Sequence, residues 1–414
     1  MRLRYFAGWN VVGATFVMAL FSFGLGFYGL SVHVATLQRL HGWSAAAVSA
    51  PVTVYYMAGA LLTVWIGDLY DRFGPRTVVI GGCLAMAAGL AALGRVTHPW
   101  QLYPTFLLMS LGWGAMSGAA INIILAPWFQ RRRGLAVSLA FNGATLGGVL
   151  IAPALILLVE AVGFARALTT AGLVLLGVML PLAVGVMRRG PATLGLGLDG
   201  DALVTVTGPS GADAPRARAA ALRTWRFWSV SAPFALGLAA QVGVLTHLVA
   251  LVSPVLGSAG AARAVSATTA AAVVGRLMTG LVIDRVNRRL AASATLVVQI
   301  AGLCLLAWAP SAPALYAGCA LFGLGVGNLT TLPGLIIAVE WPRERFSALV
   351  GLAVAINQFT FAFGPSLVGA LRDWAGTYGP ALAVCAALQA LAAGMILLGP
   401  GRAHSRPNTR AALP

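Results

Sequence analysis

The sequence predicts an all-α membrane protein of twelve transmembrane helices in two pseudo-symmetric halves. Three observations carry this. The 414 residues are 59% hydrophobic and only 9% charged; soluble domains carry roughly 25% charge, so these apolar runs must face lipid. The runs recur at lengths near the roughly 20 residues a helix needs to cross a bilayer. Finally, the turn G-D-L-Y-D-R-F-G-P-R at 67–76 returns 213 residues later as G-L-V-I-D-R-V-N-R-R at 280–289.

In both copies an apolar run stops at a glycine (Gly67, Gly280), an Asp-Arg pair follows (Asp71-Arg72, Asp284-Arg285), and an arginine closes the turn (Arg76, Arg289). Glycine lets two backbones approach, the aspartate can accept from N–H groups at the next helix start, and the arginines sit at the headgroups. Two further echoes support duplication. His33-Val-Ala-Thr-Leu is answered by His247-Leu-Val-Ala-Leu 214 residues on, and Trp128 through Pro153 aligns with Trp341 through Pro365 about 212 on.

The apolar runs place helices at about 8–32, 46–67, 76–95, 100–126, 134–158, 165–187, 226–252, 264–283, 290–309, 312–338, 346–370 and 379–400. This divides the chain into an N-terminal bundle (1–187), a flexible linker (188–224), a C-terminal bundle (225–400) and a tail (401–414). Met1-Arg-Leu-Arg4 before the first run looks like the start of a signal peptide, but the run is too long and reads as a retained first helix.

All 27 basic residues are arginine. With no lysine there is no P-loop or Schiff-base lysine, which argues against nucleotide-driven transport by this chain alone. The net charge of +17 belongs to topology and not to nucleic acid. With the N-terminus inside, 21 arginines fall in inner segments, five in outer loops (Arg39, Arg95, Arg166, Arg263, Arg372), and one, Arg276, within helix 8. That asymmetry predicts both termini in the cytoplasm of a bacterial-type inner membrane. Cys83, Cys304, Cys319 and Cys385 all lie in apolar runs, with neither disulfide nor metal spacing. Two G-x-G-x-x-G matches, at 24–29 and 195–200, follow no strand and make no dinucleotide site; Gly143-xxx-Gly147 and Gly323-xxx-Gly327 read as close helix packing. No enzyme motif is present and no cofactor is expected.

Arg276 is the sharpest signal. A guanidinium within a membrane helix costs about 2.5–3.5 kcal/mol, and no Asp or Glu lies inside a predicted helix except near the ends, at Glu160 and Glu340. Its partner is then either a substrate carboxylate, gripped bidentately, or polar groups that fix packing. His247 and His33, the latter near the outer end of helix 1, are proton-coupling candidates against a packing alternative. Asn122, Asn142, Gln241, Asn328, Asn357 and Gln358 are amides at membrane depth, interhelical glue unless they line a cavity. Asn142 and Gln358 stand out because their helices are repeat-related and each precedes a proline; Tyr55 and Tyr56 are open between cavity lining and packing.

With its duplicated turn, twelve helices and long central loop, the chain resembles the major facilitator superfamily. Within it the chain is similar to the monocarboxylate transporter and oxalate/formate antiporter branch, on Trp128-Phe-Gln-Arg-Arg-Arg-Gly-Leu-Ala136 leading into Asn142-Gly143, Gly195-Leu-Gly-Leu-Asp-Gly200, Thr246-His247-Leu-Val and Gly275-Arg276. The resemblance implies two six-helix bundles around a central site, with Arg276 on the substrate carboxylate and Asn142 able to join it. The sequence departs from that branch in helix 11, where Asn357 and Gln358 stand in the neighbourhood of the antiporter's lysine. It also departs in helix 8, where Thr268, Thr269 and alanines replace the carriers' acid. One positive charge favours a monoanion. The expected protein is a monomeric secondary transporter in lipid, carrying a small organic monoanion on Arg276, Asn142, His247, Gln358, Asn357, Asn122 and Tyr55, with the two Asp-Arg turns as conformational gate. The rivals are an efflux carrier for amphipathic drugs or neutral solutes, with Arg276 structural, and a transport-dead sensor.

Overall fold

The computed structural model describes residues 6–187, 190–191, 198–200, 214–283, 285–308, 311–342 and 345–399, and among them the regular structure is helical. Twelve spans follow one another: α1 (Gly8–His41), α2 (45–73), α3 (75–93), α4 (Pro99–Leu125), α5 (Arg133–Val162), α6 (Phe164–Gly185), α7 (225–256), α8 (258–282), α9 (Arg288–Trp308), α10 (312–340), α11 (346–375) and α12 (Gly379–Leu397).

The hairpins are tighter than the hydropathy suggests. α2 and α3 meet at Gly74 (φ 74°) and α7 and α8 at Gly257 (φ 65°), each a left-handed residue that turns the chain without a loop. α1 runs on to His41, ends at Gly42 (φ 65°), and α2 begins two residues later on Ser44, whose hydroxyl accepts from the Ala47 N–H at 3.2 Å. The helices therefore extend past the apolar runs into polar surroundings. Positions expected in outer loops (Arg39, Arg263 and Arg372) lie on helices.

Two pairs of helices are irregular, the first of them repeat-related. α4 breaks at Ser117, whose backbone is extended, and α10 breaks between Val326 and Leu332. α1 and α5 each widen into a π-helical turn, at Gly24–Tyr28 and Gly147–Ile151. These turns pack together because Gly143 and Gly147 lie against the carbonyls of Phe16 and Leu20, where any side chain would collide.

The bundles meet from the face opposite the arginine-rich turns inward to the Arg276–Thr145 bond. On the face opposite the arginine-rich turns, α2 packs along α11. There Gly369 lies against Ser49 and Ala45, and the Thr53 and Ser366 hydroxyls are 2.6 Å apart. Asp373 closes the seam, its carboxylate accepting from the Ala45 and Ala46 N–H groups at 2.9 and 2.7 Å. One apolar core runs from the N-terminal bundle into Leu248, Val252 and Val265. A second, around Phe234, Ile337, Leu349 and Ile396, stays apart at the arginine-rich end of the C-terminal bundle. The molecule is closed on one face and parted on the other.

The linker expectation is corrected where the chain is described. Residues Ala214–Leu222 form a helix, and Leu198–Gly200 docks on the α4–α5 turn. Asp199 (φ 58°) gives its N–H to the Trp128 carbonyl at 2.8 Å, and its carboxylate accepts from the N–H groups of Gln130 and Arg131 at 3.2 and 2.7 Å.

Candidate functional site

Arg276 lies near the arginine-rich end of α8, six residues short of Val282, and is half-buried. Its Nη1 donates to the Thr145 hydroxyl of α5 at 3.3 Å, so the guanidinium points across the seam between bundles. Its Nε is buried with no partner, and no carboxylate among the described residues pairs with it. The break in α10 makes the room: a Cβ at Gly327 would stand 2.8–3.1 Å from the guanidinium. α8 and α10 press so closely that Gly275 and Gly323 rest on the carbonyls of Leu324 and Thr268.

The π-helical turns frame the other side of the seam. Tyr28 stands at the end of the α1 turn. Its ring packs with the Thr269 methyl of α8 over the bare backbone of Gly148. Next to it Phe27 makes an edge contact at 5.1 Å between centroids, and Phe27 lies near-parallel to Trp113 of α4 at 6.1 Å. Phe23 joins Trp113 to Phe141 of α5, and Tyr56 of α2 meets Phe361 of α11 at 5.3 Å. Such helical irregularities cluster at functional sites because they redirect side chains and free backbone groups.

The other expected site residues are not all gathered here. Asn142 lies one turn from Thr145, exposed and without a side-chain hydrogen bond; Gln358 is half-buried and likewise unbonded. Asn357 is buried with its Oδ1 unpartnered, and Asn122 bonds its own helix at the Gly118 carbonyl, 2.9 Å away. Tyr55 does not line the seam. It is fully buried inside the N-terminal bundle, its hydroxyl committed to the Gly26 carbonyl at 2.7 Å.

His33 is also fully buried, correcting its placement near the surface, and Phe164 stands beside it. His247 is held on the closed side, its Nε2 3.1 Å from the Pro365 carbonyl and its Nδ1 3.2 Å from the Tyr378 hydroxyl. A carbonyl only accepts, so Nε2 carries the proton and Nδ1 receives from the tyrosine. Gln241, expected as glue, is that: Gln299 of α9 bridges it to Gln389 of α12 at 2.9 and 2.8 Å.

The gate residues divide. Gly67, Asp71, Arg72, Arg76, Gly280 and Arg285 line the parted face; Asp71, Arg72 and Arg285 are exposed, and Arg72 leans over the ring of Phe73. Asp284 lies outside the described residues. Arg289 is corrected outright. It is buried in a two-pronged pair with Glu340, Nε to Oε1 at 2.7 Å and Nη2 to Oε2 at 2.9 Å, and also donates to the Ile396 carbonyl. A guanidinium so enclosed braces its own bundle and has no donor left to gate with.

Thr145, Gly327, the π-helical turns and the broken helices escaped the sequence reading. The only signal was the glycine spacing at 143, 147, 323 and 327, which read as packing alone.

The comparisons with known proteins agree with this architecture. The Major Facilitator Superfamily model matches residues 14–261 and again 256–413. The chain belongs to the major facilitator superfamily. Its members are transporters and not, in general, enzymes. Monocarboxylate transporter 11 of Mus musculus is 28% identical over 96% of this chain and 88% of its own length. A putative anionic 4-hydroxy-benzoate permease of Thauera aromatica is 37% identical over 28% of this chain and 71% of its own length. With MFS-type transporter 1 of Ophiocordyceps, 29% identical over 45% of this chain, the match spans 42% of the relative, under half its length. The solved nucleoside transporter NupG superposes with a TM-score of 0.75 at 13% identity, covering 94% of this chain and 98% of its own, a likeness of fold.

Proposed function

We propose that this superfamily member is a secondary transporter of a small organic monoanion, working by alternating access, with Arg276 as the carboxylate site. The observation that carries the reading is a half-buried guanidinium aimed across the seam with an unpartnered Nε and no carboxylate beside it among the described residues. A desolvated cation of this kind is stabilised by an anion that arrives from outside the protein. Thr145 holds one nitrogen in place, and an arriving carboxylate would take the guanidinium donors that Thr145 does not use. The names of the mouse and Thauera relatives, a monocarboxylate carrier and an anion permease, support the same class.

The arginine-rich face is assigned to the cytoplasm of a bacterial-type inner membrane, which makes this an inward-open state with its outer seam sealed by Asp373. The central test is counterflow of labelled monocarboxylates in proteoliposomes. Arg276→Ala abolishes exchange, and Arg276→Lys restores little of it because a point charge cannot reproduce the fork. Unchanged exchange in Arg276→Ala refutes the assignment. One observation favours a rival: the Arg276–Thr145 bond itself ties the bundles together. A carrier of neutral amphipathic solutes with a structural Arg276 would lose melting temperature, and not just exchange, in Arg276→Ala.

A further inference from the structure

We infer that the anion is aromatic, an aryl monocarboxylate whose ring lies against the rings along the seam; this rests on the carboxylate reading of Arg276 given above. Five aromatic residues around the seam, Phe23, Phe27, Tyr28, Phe141 and Phe361, are each only half-buried, whereas the neighbouring Trp113 and Tyr56 are packed away. A ring filling a core loses its exposure; rings left half-open line a space. They come from two helices of one bundle and one of the other, α1, α5 and α11, with Tyr56 of α2 meeting Phe361 across the seam.

The row begins against the helix that carries the charge. Tyr28 packs with the Thr269 methyl, two turns before Arg276 on α8, Phe27 follows, then Phe23 and Phe141. The π-helical turn of α1 creates this order, because its extra residue brings Phe27 and Tyr28 to the seam together. A planar ligand with a carboxylate at one end satisfies the guanidinium and then runs along ring faces and edges. A short aliphatic acid satisfies the charge and leaves the rings bare.

Charge narrows the class further. A dicarboxylate needs a second cation, and Arg289 in the same bundle is consumed by Glu340. An amino acid needs a carboxylate for its ammonium. Among the described carboxylates, Glu340 is taken, Asp68, Asp71 and Glu160 are exposed, Asp199 is docked on the α4–α5 turn, and Asp373 is spent on the α2 N-terminus.

Calorimetric titration of the purified full-length chain with benzoate, cyclohexanecarboxylate, lactate and terephthalate tests this. Benzoate should bind about tenfold tighter than cyclohexanecarboxylate, which matches it in size but lacks a π face, and lactate and terephthalate weaker still. Phe27→Leu should erase the preference for benzoate while leaving the melting temperature in place; Phe361→Leu is the second reporter should Phe27→Leu fold poorly. Lactate binding as tightly as benzoate, or an unchanged ranking in both variants, with Arg276→Ala still abolishing binding, overturns the aromatic inference and leaves the carboxylate site standing. If no carboxylate binds at all, both readings fall.

Discussion

At the scale of single residues, Arg276 shows how a charge in a membrane helix is housed. Insertion of a guanidinium at that depth costs about 2.5–3.5 kcal/mol, and only one hydrogen bond, to Thr145, offsets it among the described residues. The space it occupies exists because residue 327 has no side chain. Gly327→Ala should push the guanidinium aside and weaken substrate affinity by about tenfold or more, with the melting temperature almost unchanged; KM for exchange set beside a thermal melt separates the two. Arg289 is the opposite case. Glu340→Gln leaves that guanidinium buried without its counter-charge, a loss of about 3–5 kcal/mol. A large fall in melting temperature is expected, and an unaltered melt would show that the pair contributes nothing net. The sequence made Arg276 legible because an arginine in an apolar run is rare. It made Arg289 misleading, because its repeat partner Arg76 sits in the same turn with no pair among the described residues, and repetition of sequence suggested repetition of role.

At the scale of elements, the seam between α2 and α11 decides which face is shut. Asp373 places a carboxylate on two free N–H groups at the start of α2, where the helix dipole also favours negative charge. Removing such a cap costs about 0.5–2 kcal/mol, enough to shift a balance between open and closed seams severalfold. Asp373→Ala should therefore speed labelling of a Ser49→Cys reporter by a membrane-impermeant maleimide added at that face, and equal labelling rates would remove Asp373 as the closure. Hydropathy could not reveal this contact. It ended helix 11 near residue 370, and the last turn, with Arg372 and Asp373, is polar because it emerges from the apolar slab. For the same reason Arg39 was expected beyond helix 1, though the helix continues to His41.

At the scale of the whole molecule, Leu198–Gly200 of the linker is tied to the first bundle, with Asp199 as its fastening. Burial would raise the Asp199 carboxyl, but the N–H groups of Arg131, Gln130 and Arg132 together with the Arg131 charge outweigh it and hold the group below the ordinary carboxylate range. A carboxyl depressed in the folded state stabilises docking above its unfolded value, and that stability is lost as pH falls through the depressed one. Docking should therefore persist at neutral pH and fail in acid, seen as faster proteolytic nicking of the linker. Asp199→Asn should nick rapidly already at neutral pH.

The sequence by itself determined that the chain spans a membrane twelve times, that it is duplicated, and which face is rich in arginine, because each of these is a one-dimensional pattern of hydropathy, repetition and charge. Only the tertiary structure decided what Arg276 touches, that Arg289 is spent on Glu340, and that one face is sealed while the other is parted. Those facts depend on which helices meet, and partners such as Thr145 and Arg276, 131 positions apart, carry no mark in the sequence of their proximity.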